Sequence, residues 1–242
     1  NGNKGVDISL KLTTDKIKSV QLRALASYSR LMGEKAWPLA QEMTESLAEE
    51  LIPLAVESLA LIGNQEALER LKELTKSSTN KRALIESLSR STNPKVLPVL
   101  LNLLENTSTD DANFAYVISA LSKNNNEILS SSLKDLIRTG RDSALFVAAR
   151  IITILIQDPD LGKELLSALT TTSAPETLEA VMIALGSKEM NPDSNTKFFI
   201  THLKNETPEI KILSIRCLSH CKEANLYTLL KETIKDDESG VS

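Results

Sequence analysis

Apolar residues recur along this chain at intervals of three and four, in short runs separated by polar breaks. Leu51 to Leu88 shows the pattern most plainly: the run LIPLAVESLALI, the pair Gly63-Asn64, the run QEALERLKEL, a Ser/Thr/Asn-rich break, then a run like the first. Spacing of that kind gathers apolar side chains on one face of a helix. Gly-Asn is turn chemistry. The stretch therefore predicts one helical hairpin and the beginning of the next.

The rest of the chain repeats this unit. A small residue followed by a large apolar one, late in each first helix, aligns the segments at Ser27, Ser58, Ser87, Ala120, Ile152, Ala184 and Cys217, spaced by 31, 29, 33, 32, 32 and 33 residues. The residues that follow are Tyr28, Leu59, Leu88, Leu121, Thr153, Leu185 and Leu218. A sustained period of this size is the signature of a solenoid. The small residue lets helices approach closely, and the large one fills the core between neighbouring repeats. First helices are predicted over 15–32, 51–62, 80–91, 111–123, 143–157, 175–187 and 208–222. Second helices are predicted over 36–49, 65–77, 94–106, 126–139, 159–171, 194–205 and 224–236. Pro38, Pro94, Pro159 and Pro175 stand just inside helix starts, where a missing N–H costs nothing. Turn residues recur within hairpins, as at Asn124-Asn125-Asn126 and Asn191-Pro192, and the polar breaks between hairpins read as loops.

Residues 1–14 stand apart as an N-terminal tail with a possible short strand, ahead of a repeat region over 15–242. Val6 to Leu12 alternate apolar and polar, the period of a strand. They read as the end of an upstream β-domain, as a strand pairing with another chain, or as a run extending along the first helices. The chain opens on Asn1 and not Met, which reads as an upstream segment cleaved or left out; a missing targeting signal then leaves the compartment open.

Composition narrows the function classes. Aromatics are 3%, so the helices are expected to pack through aliphatic side chains. The net charge is −4 and no Lys/Arg run occurs, so the basic face that nucleic-acid binding needs is not expected. No apolar run approaches the ~20 residues of a membrane span; Ile151 to Ile156 reads as a buried helix segment. Two cysteines are too few for a disulfide scaffold.

Candidate chemistry is sparse. Cys217, His220 and Cys221 fall at i, i+3 and i+4, one helix face, and are zinc-ligand types. The remaining histidine is His202. Cys217 also occupies the small packing position of its repeat, so burial explains it better, and no metal is expected. Catalytic triads need a base with an orienting partner, and within the helix predicted over 208–222 no Asp or Glu lies within a turn of His220. There is no glycine-rich phosphate loop. Glu42, Glu45, Glu49 and Glu50 have the spacing of a solvated face. The chain is expected not to be an enzyme and to need no cofactor. Trp37-Pro38 reads as a cover for the end of the core before it reads as a binding anchor. Of Phe198 and Phe199, one ring should enter the core while the other is a candidate for the inner surface. Asn106-Thr107-Ser108 and Asn205-Glu206-Thr207 are acceptor triplets of a kind common by chance in such a chain.

Several segments carry a family pattern: Ile210-Lys211 and Cys217-Leu218-Ser219, Ala184-Leu185-Gly186, Leu59 with Ile62-Gly63-Asn64 and Ala67-Leu68, and Asn93-Pro94 with Val96-Leu97. In this order they resemble short-form HEAT repeats of about 30 residues, from about residue 15 onward. The family's basic position in the first helix is Gln21 in repeat one and Ile52 in repeat two, so its ladder of Arg–Asp contacts is expected to be broken. Tetratricopeptide repeats fit less well, because their signature aromatic and Pro positions are unfilled. The resemblance implies an all-α, right-handed α-solenoid of about seven antiparallel hairpins, first helices convex and second helices concave. The expected function is a non-catalytic scaffold binding another protein along the concave face, with Glu69, Glu73, Asn102, Asp135, Arg138, Lys163 and His202 as candidate positions. The alternatives are a helical ligand- or lipid-binding segment of a larger protein, or a HEAT-like enzyme of lyase or glycosylase type.

Overall fold

The computed structural model describes residues 2–91, 93–106, 111–122, 125–156, 158–169, 173–187, 190, 195–203, 207–221, 227 and 231. Among them there is no strand. The chain is all-α: α1 (Gly2–Leu12), α2 (Lys18–Met32), α3 (Trp37–Thr44), α4 (Ile52–Ile62), α5 (Gln65–Ser77), α6 (Lys81–Leu88), α7 (Leu97–Glu105), α8 (Asp111–Leu121), α9 (Asn126–Ile137), α10 (Asp142–Leu155), α11 (Pro159–Ala168), α12 (Pro175–Leu185), α13 (Thr196–His202) and α14 (Pro208–Leu218). The turn expected at Asn191-Pro192 lies outside the described residues. So does the second helix expected over 224–236, apart from Tyr227 and Lys231.

Residues 6–12 are not a strand. They belong to α1, which packs on α2 and buries Ser9 while Ile8, Leu10 and Leu12 stay exposed. The alternation misled because its apolar half is not what this segment buries. A lone strand would leave its backbone groups unpaired, whereas a helix pairs them internally. Thr13 then closes the end, its hydroxyl donating to the Leu10 carbonyl at 2.6 Å.

Residues 1–129 and 130–242 form two compact units. In the first, α2, α4, α6 and α8 pack in succession, and α5 and α7 lie against α4 and α6 as hairpin partners. In the second, α10, α12 and α14 pack in succession, with α11 between the first two as partner and α13 against α14. The small–large pairs sit in these cores: Ser58-Leu59, Ser87-Leu88, Ala120-Leu121, Ala184-Leu185 and Cys217-Leu218 are all buried. Each fully buried leucine of this set contributes roughly 1.5–3 kcal/mol.

Two repeats have a different register from the one expected. Ser27 is exposed, and the buried set Leu22, Ala24, Leu25, Ala26 repeats the set Val56, Ser58, Leu59, Ala60. The true pair is therefore Ala24-Leu25, one turn earlier, and Ser27-Tyr28 imitates it. In α10 the buried pair is Ile151-Ile152, one residue before Ile152-Thr153. Ile151 to Ile156 is also not wholly buried: Ile154 is 54% exposed, because it lies about 200° round the helix from Ile152.

The sequence period reappears as hydrogen bonds that reach back one repeat. In the first unit the Ser58 hydroxyl donates to the Leu22 carbonyl at 3.5 Å, the Asn93 amide to Ala60 at 3.1 Å, and the Lys95 ammonium to Gly63 at 3.2 Å. In the second, Thr177 donates to the Asp142 carboxylate at 2.8 Å and the Cys217 thiol to the Met182 carbonyl at 3.4 Å. Gly63 explains why such contacts need particular residues. Its φ is +65°, a left-handed helix end, and a Cβ there would lie 1.8 Å from the Asn93 amide nitrogen.

Candidate binding surfaces

The first unit has a cleft of about 500 Å³ between its second helices α3 and α5. Trp37, Gln41, Thr44 and Glu45 line one side; Gln65, Glu66, Glu69, Arg70 and Glu73 line the other. α5 is held in place by Asn64, whose side chain caps the helix by accepting from the Ala67 N–H at 2.9 Å. α3 ends at Thr44, short of the predicted 49, because Arg70 takes over its last carbonyls. The guanidinium donates to the carbonyl oxygens of Thr44 and Glu45, satisfying acceptors that a longer helix would have paired. Arg70 also pairs with Glu73 at 2.9 Å, and Glu69 accepts from Lys72 at 2.9 Å and Gln65 at 3.0 Å. Glu45 and Glu66 have no ion-pair partner among the described residues, so the cleft presents net negative charge beside a half-buried indole.

On its first helices this unit links neighbouring helices by ion pairs. Glu57 of α4 pairs with Arg30 of α2 at 3.6 Å and with Arg90 beyond α6 at 3.9 Å, and Arg90 pairs with Glu86 at 2.8 Å. An inter-repeat ladder thus exists, with Glu as its acid and at positions other than Gln21 and Ile52.

The second unit distributes its exposed groups differently. Its first helices carry exposed Ile154, Ile183, Ile212 and Ile215. A groove of about 360 Å³ runs between α10 and α12, lined by Phe146, Arg150, Thr153 and Ile154 on one side and Glu176, Glu179, Ala180 and Ile183 on the other. A second groove, of about 610 Å³, lies between α12 and α14 and shares Thr153, Glu179 and Ile183 with the first. The second-helix charges here are paired: Asp135 with Arg138 at 3.7 Å, Arg138 with Glu164 at 3.6 Å, and Lys163 with Asp160 at 2.9 Å. The Lys163 hydrogen bond and charge hold the Asp160 carboxyl below its usual range.

Of the positions expected from sequence, Glu69 and Glu73 share the Trp37 cleft, Asp135 and Arg138 meet each other, and Lys163 meets Asp160. Asn102 is exposed on α7 and, like His202, lies outside these three clefts. The His202 ring packs 4.4 Å from Phe198, with Nδ1 2.8 Å from the Phe198 carbonyl. Phe199 is fully buried and Phe198 half-buried. The isoleucines at 154, 183, 212 and 215 were not anticipated. The available signal was their offset from the core pairs, masked by helices that are apolar on most sides.

The Cys217 cluster behaves as packing. Cys217 is buried, and burial, reinforced by nearby Cys221, pushes its thiol up to about 11. That is the opposite of an activated thiolate. A Cβ on Gly186 would lie 2.4 Å from the Cys217 sulfur, so Gly186 is what lets the end of α12 meet α14. His220 turns Nδ1 toward the Gly186 carbonyl at 3.0 Å. Among the described residues no group of three His, Cys, Asp or Glu could hold a metal ion, and no helix is long and apolar enough to cross a membrane.

No curated protein matches the chain. The family model of HEAT repeats matches residues 36–122, a span inside the first unit that runs from the turn before α3 to the end of α8. That span has stacked first helices with hairpin partners, and residues 36–122 are similar to a run of HEAT repeats.

Proposed function

We propose that this chain is a non-catalytic scaffold that holds a partner protein against the second-helix face of its repeats. HEAT repeats are commonly protein-interaction scaffolds. The observation that carries the reading here is the cleft between α3 and α5. An indole beside carboxylates with no ion-pair partner among the described residues suits a Lys or Arg side chain of a partner, through cation–π attraction to the ring and charge-assisted hydrogen bonds to Glu45 and Glu66. Glu69 and Glu73 are already oriented by Lys72, Gln65 and Arg70, so they lose little freedom on binding. Asn102, Asp135, Arg138, Lys163 and His202 are proposed as further positions of the second-helix surface, each within its own unit.

The test is affinity capture from the native source with the intact chain and with Trp37→Ala, read by mass spectrometry. The expected result is a stoichiometric protein partner on the intact chain, held about tenfold less well by the variant, as for an aromatic anchor. An unchanged melting temperature of the variant separates lost binding from lost fold. Recovery of no partner, or equal recovery by both, would count against the reading.

A further inference from the structure

We propose that the groove between α10 and α12 docks an amphipathic α-helix of another protein, one with basic residues flanking its apolar stripe. The site is in the other unit and on the first helices, so it stands or falls independently of the Trp37 cleft. Phe146, Arg150 and Ile154 recur at intervals of four along α10, and Glu176, Glu179 and Ile183 at intervals of three and four along α12. Such rows form ridges parallel to the groove, the relief into which a helix packs. The 11 residues of α12 give it a length of about 16 Å, three helical turns.

Two features select the occupant. Ile154 and Ile183 are 54% and 43% exposed, and a partner's apolar stripe would take them out of water. The charge offered to a ligand is negative. Arg150 is engaged over the Phe146 ring, 5.7 Å from its centroid, whereas Glu176 and Glu179 are exposed with no ion-pair partner among the described residues. Glu57, Glu86 and Glu164, by contrast, are all paired. Basic flanks complement Glu176 and Glu179; acidic flanks, or an anionic lipid surface, would be repelled.

The test uses the full chain and a fluorescent synthetic helix of about four turns, leucine on one face and lysine elsewhere, against a matched leucine–glutamate helix. Anisotropy should show the Leu/Lys helix binding at least about tenfold tighter than the Leu/Glu helix. Ile154→Glu and Ile183→Glu should each weaken the Leu/Lys helix about tenfold. Glu179→Lys should weaken it and strengthen the Leu/Glu helix. Ile212→Glu, which adds the same charge outside this groove, should leave binding unchanged. These side chains are exposed, and far-UV circular dichroism checks the fold; Ile154→Ser replaces Ile154→Glu should the latter lose helix. Equal affinity for the two helices, or indifference to Ile154, overturns the proposal. An Ile212→Glu loss matching that of Ile154→Glu would move the site to the α12–α14 groove. Self-association in sedimentation that Ile183→Glu abolishes would make a second copy the occupant.

Discussion

The two units are built from one repeat plan but spend their surface differently. In the first, the first helices are tied together by Arg30, Glu57, Arg90 and Glu86, and the second helices open a cleft around Trp37 where Glu45 and Glu66 have no ion-pair partner among the described residues. In the second, the second-helix charges Asp135, Arg138, Glu164, Lys163 and Asp160 pair among themselves, and the first helices expose isoleucines beside Glu176 and Glu179, which have no ion-pair partner among the described residues. Core positions are constrained by packing between neighbours, whereas the outward positions of either helix are free to diverge. On the two proposals above, which layer binds is a property of each unit and not of the fold.

The strongest way to probe the contrast is to break one unit at a time. Gly63→Ala forces a Cβ into the Asn93 amide at a left-handed φ, and Gly186→Ala forces one into the buried Cys217 sulfur. Each should cost about 2–4 kcal/mol in urea denaturation. The first should weaken the Trp37 cleft and the second the face carrying Ile183. If either left its own unit's stability unchanged, the corresponding inter-repeat contact would not be holding that unit together.

A pH series sharpens the same comparison, since Cys217 belongs to the second unit. An unfolded thiol ionises from about pH 9, while the folded one stays neutral to about 11. Below pH 9 both states keep the proton and stability is flat. Between the two values only the unfolded state releases it, so stability falls with rising pH, by up to about 3 kcal/mol. Cys217→Ala should remove that fall, measured by urea midpoints between pH 8 and 11. A fall that persists in the variant would assign it to other groups.

Much of the fold was legible because its signals are local. The predicted second helix over 65–77 is α5, Gln65–Ser77, bounded by the Asn64 cap and an apolar period that nothing overrides. The end of α3 was not legible, since Arg70 reaches its carbonyls from 26 residues away. The strand-like alternation of 6–12 failed for the opposite reason: a local pattern lost to backbone pairing and to packing on α2. Half of the candidate cleft could be read from helical periodicity, which brought out Glu69 and Glu73. The facing wall, and the outward turn of Ile154 and Ile183, depend on how neighbouring helices are rotated, which a hydrophobic period of this breadth does not specify.

The smallest effect concerns the ion pairs linking the first helices of the first unit. Glu57→Gln should cost no more than about 0.5–1 kcal/mol, because Arg30 and Arg90 are largely exposed. Added salt should erase the difference between variant and parent. A loss that survives high salt would show that Glu57 acts through packing instead.

The Asn93 amide lies where Gly63 lacks a Cβ, one repeat away. Residue 63 cannot gain a side chain alone, because its Cβ would displace the Asn93 amide. Inheritance therefore acts on the pair. A repeat copied or transplanted within such an array arrives with half of a lock, and fits only beside a neighbour that carries the other half.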